Sequence, residues 1–184
     1  MDRSAGGASL PLVASYSGEH VFFYGTLMTP FARRQRAGIE DKLRAMGRGS
    51  IEGALFDLGI YPAAVRSSEG LVWGDVYEMI EPEAVLAALD EIEGFRPEHL
   101  EASLYVREQA PVTLEDGRTE LAWVYFYNAP LGRAPRIESG DYKRRLARAK
   151  GCLQLSGSAV LSSGSGGSIG AVASLSSGRC SSRV

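Results

Sequence analysis

Residues 104–128 read LYVREQAPVTLEDGRTELAWVYFYN. Two runs rich in Val, Leu, Tyr, Phe and Trp flank Asp116-Gly117-Arg118, and that turn signal predicts an antiparallel β-hairpin. Pro111 lies inside the first arm; having no N–H to donate, it argues for an edge or a bulge at that point. Three further runs have strand character: HVFFYG (20–25), GSIEGALFDL (49–58) and LVWGDVYEMI (71–80). In the last of these, Val72, Gly74, Val76 and Glu78 alternate with Leu71, Trp73, Asp75, Tyr77 and Met79, as a pleated strand requires. Gly53 and Gly74 interrupt strand patterns and predict bulges or bends, such as a strongly curved sheet needs.

Two segments read as helix. EPEAVLAALDEIE (81–93) has Pro82 near its start, acidic residues in its first turn and Gly94 just beyond its end. SGDYKRRLARAK (139–150) is the second, and its basic run reads as a solvated helix face. A third, weakly patterned helix is expected within Arg33–Met46, interrupted by Gly38 and closed by Gly47. Strands outnumber helices and are joined more by hairpins than by helical crossovers. The expected fold class is therefore α+β: a curved, mixed but largely antiparallel sheet or small β-barrel, with a few flanking helices.

Composition divides the chain into three parts. Residues 1–18, rich in Ser, Gly and Ala, are expected to be a flexible arm and not a signal peptide, because their apolar run is broken by Ser and Pro. Residues 19–150 form the folded unit. Residues 151–184 are Gly/Ser-rich, lack acidic side chains and keep no hydrophobic period, so a disordered tail is expected there. Both cysteines, Cys152 and Cys180, fall in that tail without metal-ligand spacing, which fits a reducing compartment or indifference to redox. A net charge of −2 gives no electrostatic case for nucleic acid or an anionic membrane. No apolar run approaches the roughly 18 residues of a membrane-spanning helix. The expectation is a cytoplasmic protein with neither nucleic-acid nor membrane partners.

One carboxylate is out of place. At about 100° per residue, Glu93 projects roughly 80° from Val85, between Leu89 at about 40° and Leu86 at about 100°. Glu91, by contrast, projects at about 240°, away from the apolar arc. Glu93 therefore lies on the face meant for the core. As the last helical residue it either bends out to water or stays inside. Inside, burial and the negative end of the helix would both raise its pKa, as a general acid/base at neutral pH requires.

The strand-turn FFYGTLM (22–28), the strand GDVYEM (74–79), the helix end LDEIEGF (89–95) and the hairpin SLYVREQAPVTLEDGRTELAWVYFYN (103–128) occur in that order. Together they resemble the γ-glutamylcyclotransferase-like superfamily, on its γ-glutamylamine cyclotransferase and AIG2-like branch, from about Val21 to Tyr142. The resemblance implies that backbone amides of the turn at Tyr24, Gly25, Thr26 and Leu27 grip the substrate. It implies that Glu93 carries the proton, and that Tyr105 and a tyrosine on the late strand, Tyr125 or Tyr127, line the site. Met28 stands where γ-glutamylamine enzymes have a basic residue. The implied reaction is an internal one on a small γ-glutamyl compound. The α-amine attacks the γ-carbonyl, giving 5-oxoproline and a free amine or amino acid, with no metal or organic cofactor. Two other readings of the same residues are a biosynthetic enzyme that removes a γ-glutamyl protecting group, and a non-catalytic binding module.

Overall fold

The computed structural model describes residues 19–28 and 33–156, with side chains through 149. By its internal contacts the chain divides after Tyr142. The first unit is built on strands β1 (His20–Phe23), β2 (Leu43–Glu52), β3 (Ala54–Asp57), β4 (Pro62–Val65), β5 (Leu71–Met79), β6 (Tyr105–Leu114) and β7 (Thr119–Tyr127). It also holds the four-residue helix α1 (Arg33–Arg36) and the longer α2 (Pro82–Glu93).

Five strands close into a barrel in the order β1-β5-β2-β6-β7, and β3 and β4 form a separate hairpin. All neighbours in the barrel run antiparallel except β1 and β7, which close it in parallel. The expected α+β class with a small mixed barrel is thus the observed one. Val21, Val72, Val76, Val112, Ala122 and Val124 are fully buried, and a fully buried side chain of Val or Phe size contributes roughly 1.5–3 kcal/mol.

The hairpin at Asp116-Gly117-Arg118 forms as expected, and Gly117 takes the left-handed φ of 86° that the turn demands. Pro111 is accommodated because β2 pairs with β6 only at Gly49↔Leu114 and Ser50↔Thr113, so no ladder bond to β2 is lost at Pro111. Gly53 is a break, separating β2 from β3 within the stretch that reads as one strand. Gly74 is neither bulge nor bend. Its register with Gly49 is regular, but a Cβ there would lie 2.2 Å from the Phe23 carbonyl oxygen and 2.6 Å from the Phe22 ring. Only glycine lets β1 lie so close across β5.

Two further expectations need correction. The helix expected within Arg33–Met46 is, among the described residues, reduced to Arg33–Arg36 and a single 3-10 turn at Glu40–Lys42, and from Leu43 the chain is strand. Pairing along β5 from Leu43↔Met79 to Glu52↔Leu71, with a register shift between Ala45 and Gly47, overrides the local preference. The other concerns the C-terminal helix, α3 (Tyr142–Ser156), which runs past the expected end of the folded unit at Lys150. Residues 1–18, and 157–184 of the expected tail, lie outside the described residues. Among the described residues no helix is long and apolar enough to cross a membrane.

Candidate functional site

A cavity opens at one end of the barrel. Its walls are Phe22–Leu27 from β1 and the following turn, Arg33 of α1, and Tyr61–Pro62 at the β3–β4 connection. Ile92–Glu93 at the end of α2, Leu104–Tyr105 entering β6 and Tyr125 of β7 complete it. Its volume is about 80 Å³. One water needs roughly 10–15 Å³ on that measure, so there is room for a small organic molecule.

The turn after β1 is held by the Met28 N–H donating to the Gly25 carbonyl at 3.0 Å. Among the described residues, the N–H groups of Gly25, Thr26 and Leu27 have no acceptor. Three successive free amides at a cavity wall can form an anion-holding concavity. Gly25 is favoured there by crowding and not by a left-handed φ: a Cβ would meet the Pro62 ring at 3.0 and 3.3 Å, tight enough that the ring would have to give by a few tenths of an ångström. Pro62 in turn accepts, through its carbonyl, a hydrogen bond from the Tyr105 hydroxyl at 3.2 Å. Tyr24 is buried, donating from its hydroxyl to the Tyr125 carbonyl at 2.6 Å.

On the opposite wall, α2 stops at Glu93 because Gly94 takes the left-handed conformation, φ 65°, and donates its N–H to the Asp90 carbonyl. The helix end is clamped from the barrel. Arg107 donates to both Asp90 carboxylate oxygens at 3.0 and 2.8 Å, and the Tyr125 hydroxyl donates to Asp90 Oδ1 at 2.6 Å. The Arg107 guanidinium also lies over the rings of Phe95 and Trp123 at 5.2 and 5.0 Å. Glu93 sits between two residues so fixed, Asp90 one turn before it and Phe95 two residues after.

Glu93 does not bend out to water. It lines the cavity, half-buried, and among the described residues no protein group donates a hydrogen bond to its carboxylate. Burial pushes its carboxyl up to about 7, against a smaller opposing pull from the Arg33 guanidinium. Burial likewise holds the hydroxyls of Tyr24, Tyr105 and Tyr125 well above their ordinary range, so they remain neutral donors. Among the described residues lining the cavity, Glu93 supplies the one carboxyl and Arg33 the one guanidinium.

Tyr24, Gly25, Thr26, Leu27, Glu93, Tyr105 and Tyr125 all line this cavity. Tyr127 does not; it packs edge-on against Tyr105 with ring centroids 5.3 Å apart. Tyr125 and Tyr127 share a face of β7, so alternation could not separate them, and their height along the strand does. Sequence reasoning missed Arg33, Tyr61 and Pro62. Arg33 sits in a short basic run that reads as surface, and Tyr61 and Pro62 join a hairpin whose second strand, PAAV, is too short to stand out. Among the described residues no three His, Cys, Asp or Glu side chains gather as a metal site.

The family model described as "Gamma-glutamyl cyclotransferase, AIG2-like" matches residues 21–144. The chain belongs to this family. Among its relatives is the "Putative gamma-glutamylcyclotransferase" of Methanocaldococcus jannaschii, 31% identical over 126 residues, covering 68% of this chain and 96% of that one. An AIG2-like protein of Mus musculus superimposes with a TM-score of 0.53 at 26% identity, over 66% of this chain and 86% of that one. YkqA of Bacillus subtilis shares the fold, with a TM-score of 0.53 at 24% identity over 72% of this chain. This chain spans only 42% of YkqA's length. Membership in the family indicates an enzyme of the cyclotransferase type.

Proposed function

We propose that the protein is a γ-glutamyl cyclotransferase that converts a small γ-glutamyl compound to 5-oxoproline and a free amine or amino acid, with Glu93 as general acid/base. The observation that carries this reading is the one carboxyl that the described residues bring to the cavity, raised to about 7, in a wall shared with a turn whose amides have no acceptor among those residues.

The reaction begins when the Glu93 carboxylate takes a proton from the substrate α-ammonium, freeing the lone pair. The amine attacks the carbon of the γ-carbonyl and closes a five-membered ring, and the carbonyl oxygen becomes an oxyanion beside the turn amides. The carbon–nitrogen bond to the leaving group then breaks as Glu93 returns its proton to that nitrogen. The ring nitrogen sheds a proton onto Glu93 as it becomes a lactam amide. Nucleophile and electrophile share one molecule, so the protein's task is to hold the reactive conformer and move protons. An α-amine titrates at about 7.8 or above, far from an ordinary glutamate. Raising the carboxyl from 4.5 to about 7 narrows that gap by roughly 3 kcal/mol and leaves much of it ionised at neutral pH.

The test is to incubate the protein with γ-glutamyl amino acids, γ-glutamyl amines and glutathione and to measure 5-oxoproline. Release from at least one member, falling by on the order of 100-fold or more in Glu93→Gln, is the expected result. No release from any member would refute the activity in favour of a binding module. Undiminished release by Glu93→Gln would refute the mechanism.

A further inference from the structure

The reaction presents two anionic groups to one cavity, the substrate α-carboxylate and the transient oxyanion. The turn amides are a natural holder for either, and by themselves leave the division of labour open. Arg33 resolves it. Among the described residues it contributes the one guanidinium to the cavity wall, and its Nη1 donates to Thr26 Oγ1 at 2.9 Å. That bond fixes the side chain against the turn while engaging one of its five N–H donors. Among the described residues no carboxylate forms an ion pair with it, and Glu93 is its electrostatic neighbour beyond contact distance. A half-buried cation without a protein carboxylate, beside the residue that takes the ammonium proton, has the placement an α-amino acid head requires. The α-carbon carries ammonium and carboxylate together, so a group that directs the first to Glu93 brings the second close by.

Building on the cyclotransferase reading, we infer that Arg33 binds the substrate α-carboxylate, leaving the amides of Gly25, Thr26 and Leu27 to the oxyanion. The site then accepts γ-glutamyl compounds with a free α-carboxylate and rejects those in which it is amidated. Specificity for the head of the substrate resides in α1 and not at Met28, which is fully buried.

The test is a binding comparison that needs no turnover. The ligands are 5-oxoproline, which keeps the α-carboxylate, and 2-pyrrolidinone, the same lactam without it, measured by ligand-observed NMR. The wild-type protein is expected to prefer 5-oxoproline by about 10- to 100-fold, the worth of a charge-assisted bond to a carboxylate. Arg33→Gln should bring the two ligands to within about threefold by weakening 5-oxoproline alone, since 2-pyrrolidinone offers Arg33 no anion. Absence of preference in the wild type, full preference in the variant, or equal weakening of both ligands would each overturn the inference. The outcome separates from that of the cyclotransferase reading. Arg33-dependent preference without 5-oxoproline release from any γ-glutamyl compound would sustain the inference and refute the activity. Turnover with no dependence on Arg33 would do the reverse.

Discussion

Glu93 burdens the fold for the same reason that it suits a proton transfer. Its carboxyl ionises at 4.5 in ordinary surroundings and at about 7 in the cavity, because burial disfavours the charge. Between those values the folded protein holds a proton that the unfolded chain has released. Stability therefore falls as pH rises through that window, and the penalty is complete above it. Replacing Glu93 by the uncharged Gln should leave stability near the wild-type value at about pH 4.5 and raise it by roughly 3 kcal/mol at about pH 8. Urea unfolding at both pH values measures this, and a difference independent of pH would show that the carboxyl is not raised. The anomaly was visible in the sequence as a carboxylate between Leu86 and Leu89 on the helical wheel. Arg33 was not, because an arginine in the run RRQR reads as an ordinary solvated charge until the fold turns it toward the cavity.

At the scale of elements, the end of α2 is fixed more firmly than helix propensity would manage. Gly94 stops the helix, Arg107 and Tyr125 hold Asp90, and Arg107 also covers the ring of Phe95. Arg107 and Tyr125 face each other across β6 and β7, so barrel register sets where the Glu93 carboxyl sits. Arg107→Met keeps much of the packing bulk but leaves Asp90, among the described residues, with the Tyr125 hydroxyl as the remaining side-chain donor to its carboxylate. We expect a loss of about 1–3 kcal/mol in unfolding free energy, from a half-buried carboxylate deprived of its cation. Turnover should fall by on the order of 10-fold in kcat with a smaller change in KM, because the proton carrier is displaced while the cavity persists. A change in KM alone would assign Arg107 to substrate binding instead. The β6–β7 hairpin and α2 were both legible, since a turn signal and a helical period are local. The start of β2 was not: LRAM carries no strand alternation and becomes strand because β5 offers it a full-length partner.

For the whole molecule, closure of the barrel gathers groups that lie far apart along the chain. Residues from Phe22 to Tyr125 contribute to one cavity, and the satellite β3–β4 hairpin supplies the Pro62 ring that presses on Gly25. Local patterns reveal the strands and the helix, but which walls meet follows from the strand order β1-β5-β2-β6-β7, in which sequence neighbours are mostly not barrel neighbours. That is why the turn and the carboxylate could be read singly, while Tyr61, Pro62 and Arg33 needed the fold. The proposed activity needs a raised carboxyl acting on the α-amine of a γ-glutamyl compound, and the pH dependence of kcat/KM for 5-oxoproline release measures that directly. The base of the free enzyme must be ionised, so kcat/KM should climb through a single ionisation near the Glu93 value of about 7, and Glu93→Gln should lose both the activity and that rise. A rise already complete by about pH 5, where an ordinary carboxylate has ionised, or one that persists in Glu93→Gln, would contradict it.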